Sequence, residues 1–282
     1  MRRLIPLFLT AILLLGACGG KSNKDVAARD KGSTTTSEMT TSTEAGAAGG
    51  GGATTTAAGK TATTKKSGTS AGGGGSASQP ATANGVKATA PGSYTYKVNG
   101  TMAVGPAPAG GSPQPVNTTS TMKVDPLQGT DQHSSQSSQN GGSETLLRYQ
   151  GDGVYLVDLK LTGQISKEFK LEPPGLAFPQ PAAMGRTWSW TAKSTDGATS
   201  VKSDFKILRT ETIAIGSEQV PTVVVEATVT TSGDINSTSK RTMWTSEAYR
   251  LIVRQDEKLD GTYSGFKFTA DTSSVLQSTK PS

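Results

Sequence analysis

The chain of 282 residues contains one cysteine, Cys18, and one histidine, His133, which restricts thiol and imidazole chemistry at once. His133 stands in Gln132-His133-Ser134-Ser135-Gln136, with no cysteine or acidic pair beside it. A zinc site needs three or four His, Cys or carboxylate ligands, so no metal or other cofactor is expected here. Serine hydrolysis through His133 needs a sharp strand-to-helix turn to expose the nucleophile, and no segment after residue 92 carries a helical stripe. Gly151-x-Gly153 is followed by neither Lys-Ser/Thr nor a helix, so it is not a phosphate loop. Asp256 and Glu257 are adjacent in a strand-like stretch, where neighbouring side chains point to opposite faces and cannot act as a pair. Asp152, Asp196 and Asp234 each sit beside glycine, the ordinary use of aspartate in turns. No enzyme is expected from this inventory.

The aromatic residues offer a different chemistry, the binding of apolar groups. Trp188, Trp190, Trp244, Tyr94, Tyr96 and Phe205 are the candidates. On the concave face of a curved sheet they would line a site for an apolar ligand. In a sandwich or narrow barrel they would fill the core, which is the preferred reading.

Cys18 ends the run Leu15-Gly16-Ala17-Cys18. Before it, Arg2 and Arg3 form a positive start, and residues 4–15 form an apolar stretch interrupted only by Pro6 and Thr10. That is the layout of an export signal, and it is shorter than the roughly 20 apolar residues of a membrane-spanning helix. The run resembles the lipobox of bacterial lipoproteins. The resemblance implies that the Cys18 sulfur receives a diacylglycerol, that residues 1–17 are removed, and that the new amino group is acylated in many bacteria. Two or more chains anchor stably, at about 0.8 kcal/mol per buried methylene. The implied location is the cell membrane, on its extracytoplasmic face. Gly19 in place of aspartate leaves an outer membrane open where the species has one.

Residues 18–92 are rich in Gly, Thr, Ser and Ala, with glycine runs at 49–52 and 72–75. So few large apolar side chains cannot offset the entropy of ordering, and a disordered tether is expected. As a flexible coil it reaches roughly 50 Å. Residues 19–92 hold eight Lys/Arg against four Asp/Glu, while residues 93–282 hold eighteen of each. The net charge of +6 thus belongs to the signal and tether. A nucleic-acid-binding domain carries its positive excess on the folded part, so no nucleic-acid partner is expected. The partners expected are the membrane, through lipid on Cys18, and an envelope protein, wall polymer or lipid.

From residue 93 the pattern changes to period two. Tyr94, Tyr96, Val98, Met102 and Val104 alternate with Thr95, Lys97, Asn99, Thr101 and Ala103, which is how a strand with one buried face reads. Residues 105–115 are Pro/Gly-rich and read as a loop, and residues 119–124 as a second strand. Residues 131–142, polar and Ser/Gln-rich, fit either a solvent-facing strand or a loop. Residues 145–150, 154–161 and 166–171 form a meander around two turns. Pro173-Pro174-Gly175 is expected to end the first half of the sheet. The second half runs through strands at 186–193, 199–210, 220–231, 238–245, 249–257 and 262–270. The expected domain, 93–282, is all-β. It is an antiparallel meander of about ten to twelve strands, forming a strongly curved sheet, a half-barrel or a barrel.

Gly185-x-x-Trp188-x-Trp190, Glu211-x-Ile213-x-Ile215, Val220-Pro221 leading into Val223-Val224-Val225, Met243-Trp244 and Leu251-Ile252-Val253-Arg254 together resemble exported bacterial β-sheet proteins of unknown function. The resemblance spans residues 185–254. It implies a curved β-sheet akin in outline to envelope lipoprotein carriers, without implying an activity. Two functions are therefore expected: a binding or structural module on a lipid anchor, or a carrier of lipid or another apolar envelope component. Replacing Cys18 by Ala is expected to move the protein from the membrane to the soluble fraction on cell fractionation. Unchanged membrane retention would contradict lipidation at Cys18.

Overall fold

The computed structural model describes residues 81–138 and 141–282. The signal 1–17, Cys18 and the tether as far as residue 80 lie outside the described residues. Residues 81–92 do not continue the tether as their composition suggested. They carry a short hairpin, β1 (Thr82–Ala83) and β2 (Val86–Lys87), which buries Ala83, Val86 and Ala88 against the core.

Twelve further strands among the described residues form one antiparallel closed barrel. The first six are β3 (Gly92–Pro106), β4 (Gln114–Val124), β5 (Asp131–Ser138), β6 (Gly141–Gln150), β7 (Gly153–Gly163) and β8 (Lys167–Pro179). The second six are β9 (Thr187–Ser194), β10 (Thr199–Ile215), β11 (Glu218–Gly233), β12 (Ile235–Ser246), β13 (Leu251–Tyr263) and β14 (Phe266–Leu276). Each strand pairs with its neighbours in sequence, and β14 pairs with β3 from Phe266↔Pro106 to Leu276↔Tyr96. Closure removes the sheet edges that an open meander exposes. Gly100 serves this closure, because a Cβ there would lie 2.1 Å from the backbone oxygen of Asp271 on β14.

Alternation explains the two faces. On β10, Thr199, Val201, Ser203, Phe205 and Ile207 point inward, while Ser200, Lys202, Asp204 and Lys206 are exposed. Outward positions on the next strands include Glu226, Thr230, Asn236, Lys240, Lys258 and Asp260. A barrel embedded in lipid carries an apolar outer band, and this polar wall faces water instead. No helix of the described residues is long and apolar enough to cross a membrane.

Three sequence expectations change. β5 is a strand with one inward face, where Gln132, Ser134 and Gln136 are buried and hydrogen-bonded. Pro173-Pro174-Gly175 does not end a strand, because β8 runs past it. Leu156 pairs with Gly175 and Asp158 with Lys170, so residues 171–174 bulge outside the ladder, where the absence of a proline N–H costs no ladder bond. The turn between the last two strands lies at residues 264–265, inside a segment that read as one strand.

Among the described residues the interior is mixed, with buried Ser, Thr and Gln side chains beside the apolar ones and an ion pair set among them. Arg241 and Glu257 face each other on β12 and β13, with each side chain only 1% exposed. Arg241 Nη2 lies 2.8 Å and Nε 2.9 Å from Glu257 Oε1, which also accepts from Ser239 Oγ at 2.6 Å. Removing one member leaves a buried charge unpaired, whereas removing both does not. Arg241→Met is therefore expected to destabilise the protein by about 3–5 kcal/mol in chemical denaturation. Arg241→Met with Glu257→Leu should recover most of that loss. A double variant as unstable as the single one would contradict this assignment.

Candidate functional site

Five of the six candidate aromatic residues face the barrel interior. Trp188 and Trp190 pair with Phe205 and Ser203 across β9 and β10, and so share their inward face. Trp188 stacks on Phe205 at 5.1 Å between ring centroids and 6° between planes, a contribution of about 0.5–1.5 kcal/mol beyond area burial. The indole N–H of Trp188 donates to Leu176 O at 2.9 Å. Trp190 lies on the backbone of Gly175, where a Cβ would come within 2.8 Å of its Cγ. These rings pack against the chain itself.

Tyr94 and Tyr96 are also buried on the inner side, with Tyr96 donating to Ile252 O at 2.9 Å. Trp244 departs from the group. It pairs with Arg254, on the face opposite Met243, and Arg254 covers its ring at 4.5 Å. Its indole N–H donates to Glu211 Oε2, and Arg209 binds the same carboxylate at 2.8 Å. These two donors, Trp244 first, hold the Glu211 carboxyl below its usual range. Trp244 is nevertheless buried, in a second hydrophobic cluster with Tyr94, Tyr96, Val224 and Leu251 that the Arg209, Glu211 and Arg254 side chains edge.

A hollow of about 110 Å³ lies within the barrel beside the segment that follows β2. Thr89 occupies its rim: its Oγ1 donates to Arg250 O at 2.9 Å, and its carbonyl accepts from Gln132 Nε2 at 2.8 Å. Tyr149 donates to Gln132 Oε1 at 2.7 Å, and Asn84 of the hairpin donates to Tyr149 O at 3.1 Å. Met122, Val154, Phe178, Val225 and Met243 form much of the apolar wall. Of the six aromatic candidates only Tyr96 lines it. Arg250 lines it as well, in the β12–β13 turn with a φ of 57°. Burial lowers the Arg250 pKa, against smaller opposing effects of Glu247 and Tyr149. Thr89, Gln132, Tyr149 and Arg250 were not singled out from the sequence. The period-two spacing of Gln132, Ser134 and Gln136 was the available signal for the polar side of this hollow.

Two larger hollows, of about 810 and 520 Å³, are lined by outward groups such as Lys170, Lys202 and Asp204, and Thr212 and Ala248. Away from the mouth, Lys167 Nζ bridges Asp196 at 2.6 Å and Asp234 at 2.8 Å, tying together two turns. Lys167, then Ser194 and the Ala198 N–H, hold Asp196 well below the usual carboxylate range. His133 Nδ1 lies 3.1 Å from Asp125 Oδ2 on the surface. Among the described residues no group of three or more His, Cys, Asp or Glu is placed to hold a metal.

No family model matches this chain, and no curated protein does either. Two solved structures are similar to it. One is a hypothetical lipoprotein, YmcC, from Escherichia coli (K12), at 12% identity and a TM-score of 0.30, covering 64% of this chain and 86% of that one. The other is a DUF1329 family protein from Desulfovibrio piger, at 9% identity and a TM-score of 0.18, covering 64% of this chain and 84% of that one. Likenesses at this level carry no argument about activity.

Tyr94 donates its hydroxyl proton to Ala90 O at 2.8 Å. Burial, with a smaller effect of Tyr149, pushes its pKa up to about 12. The folded state therefore holds this proton more tightly than the unfolded chain does. The resulting stability is complete below about pH 10 and is lost as pH rises through about 12. Tyr94→Phe is expected to lose less stability than the parent over that window in denaturation followed at each pH. Parallel profiles for parent and variant would contradict the assignment.

Proposed function

We propose that the protein is a lipid-anchored component of the bacterial envelope, which presents a closed β-barrel as a binding or structural module without catalysis. The anchor is Cys18, and the barrel works in water beyond the membrane. Support for the anchor comes from the Leu15-Gly16-Ala17-Cys18 run behind an export signal. The polar outer wall supports a barrel held near the membrane by something other than its own strands.

The observation that carries the choice between module and carrier is the filling of the interior. Trp188, Trp190 and Phe205 pack on one another and on Gly175. The interior hollow of about 110 Å³ is well below the roughly 300–1,000 Å³ of ordinary ligand pockets. A long acyl chain does not fit such a space, so the lipid-carrier reading has less support than the module. The surface then does the recognising, with an envelope protein or wall polymer as partner.

The choice is tested by adding a long-chain fatty-acid fluorophore to the full chain purified in detergent. No saturable quenching of tryptophan emission is expected, and no lipid should co-purify beyond that attached at Cys18. Saturable one-to-one binding, or a co-purified lipid in equal amount, would favour the carrier.

A further inference from the structure

The guanidinium of Arg250 poses a question that the module reading leaves unanswered. Its Nε and Nη1 are buried and have no hydrogen-bond acceptor among the described residues. None of the ion pairs among the described residues includes it. Glu247, the carboxylate whose charge acts on it, is itself exposed. Arg250 as a whole is half-buried, yet these two nitrogens are shut off from solvent without an acceptor, and buried polar groups in native proteins nearly always have a partner. The turn that carries Arg250 is held in a definite place, because Arg250 N donates to Ser246 O at 2.8 Å and Arg250 O accepts from Thr89. The chain therefore fixes a cation at the wall of the 110 Å³ hollow without supplying its counter-charge.

The rest of the wall narrows the occupant. Gln132 and Tyr149 already satisfy one another, and Ser134 and Thr145 do the same at 2.8 Å. What remains is mainly apolar, formed by side chains such as Val124, Val154, Phe178 and Met243, with Thr245 among them. A dianion such as phosphate needs more than one cation and has no use for that surface. Water supplies an acceptor but no charge. A monocarboxylate with a short apolar body supplies both, since charge-assisted contacts to Arg are the stronger hydrogen bonds and hydrocarbon suits the remaining wall. An engineered cavity of about 150 Å³ holds benzene, so this smaller one takes a body of roughly four carbons.

We infer that the hollow beside Thr89 is a binding site for a small apolar monocarboxylate, with Arg250 as its counter-charge. Thr89, on the segment through which the chain enters the barrel, is one of the residues that line the site. It is independent of the module function, because a short acid fits where a long acyl chain does not.

Calorimetric titration of the full chain in detergent with butyrate, 1-butanol and inorganic phosphate tests this. Butyrate is expected to bind one-to-one, with 1-butanol and phosphate each weaker by about tenfold or more, the scale of one charge-assisted hydrogen bond. Arg250→Gln should weaken butyrate by about tenfold while leaving 1-butanol unchanged. Ala177→Leu, which fills the hollow from its wall, should weaken both. Should either variant fail to fold, the selectivity of the parent chain decides. Absence of saturable butyrate binding, equal binding of butyrate and 1-butanol, or a folded Arg250→Gln that binds butyrate as the parent does would each overturn the site.

Discussion

The pairing of β14 with β3 is the constraint on which the rest of this structure depends. Once the last strand returns to the first, every strand of the meander has two neighbours, with the shortest pairing between β8 and β9. Closure also fixes a demand on the inside. About eight strands enclose a space that side chains just fill, so twelve strands enclose more and need larger or additional filling. The chain meets that demand with stacked aromatic rings on β9 and β10, long side chains such as Arg241, Glu257 and Gln132, and the β1–β2 hairpin. The hairpin is thus part of the same solution and not an appendage of the tether.

Polar groups inside such a core are tolerable only where each finds a partner. Arg241, Glu257 and Ser239 satisfy one another, and Gln132, Tyr149 and Thr89 form a second network where the hairpin joins the barrel. Arg250 lies next to that second network with two nitrogens unpartnered. The outside of the barrel carries Lys, Glu, Asp, Thr and Ser at outward positions.

The all-β class was legible because period-two alternation is strong on β3, β7, β10 and β11, and glycine-containing turns mark the hairpins. Closure was not legible, since hydrogen bonding between strands about 165 residues apart leaves no local pattern. β5 escaped because its inward residues are Gln and Ser, whose burial depends on partners such as Ser120 and Thr145 on other strands. The opposite facing of Asp256 and Glu257 followed from strand geometry alone. That Glu257 meets Arg241 did not, because their register is set by the β12–β13 pairing. Among the aromatic candidates, Trp188 and Trp190 share a face by simple spacing, but whether that face enclosed a ligand or a core depended on curvature. Trp244 sits beside a register shift between Trp244 and Thr245 and packs in a second cluster with Val224 and Leu251, which alternation alone does not reveal.

Closure is most directly tested by mapping backbone proton contacts across strands in the full chain by nuclear magnetic resonance. Two places decide it: the return of β14 to β3, at Met102 and Ala270, and the short seam between β8 and β9, where only Phe169↔Ser194 and Lys170↔Lys193 pair. The closed barrel predicts cross-strand contacts at both places and slow amide exchange along β3 and β14. Absence of the contacts at either place, with strand amides there exchanging as freely as an open edge, would contradict a closed and filled barrel.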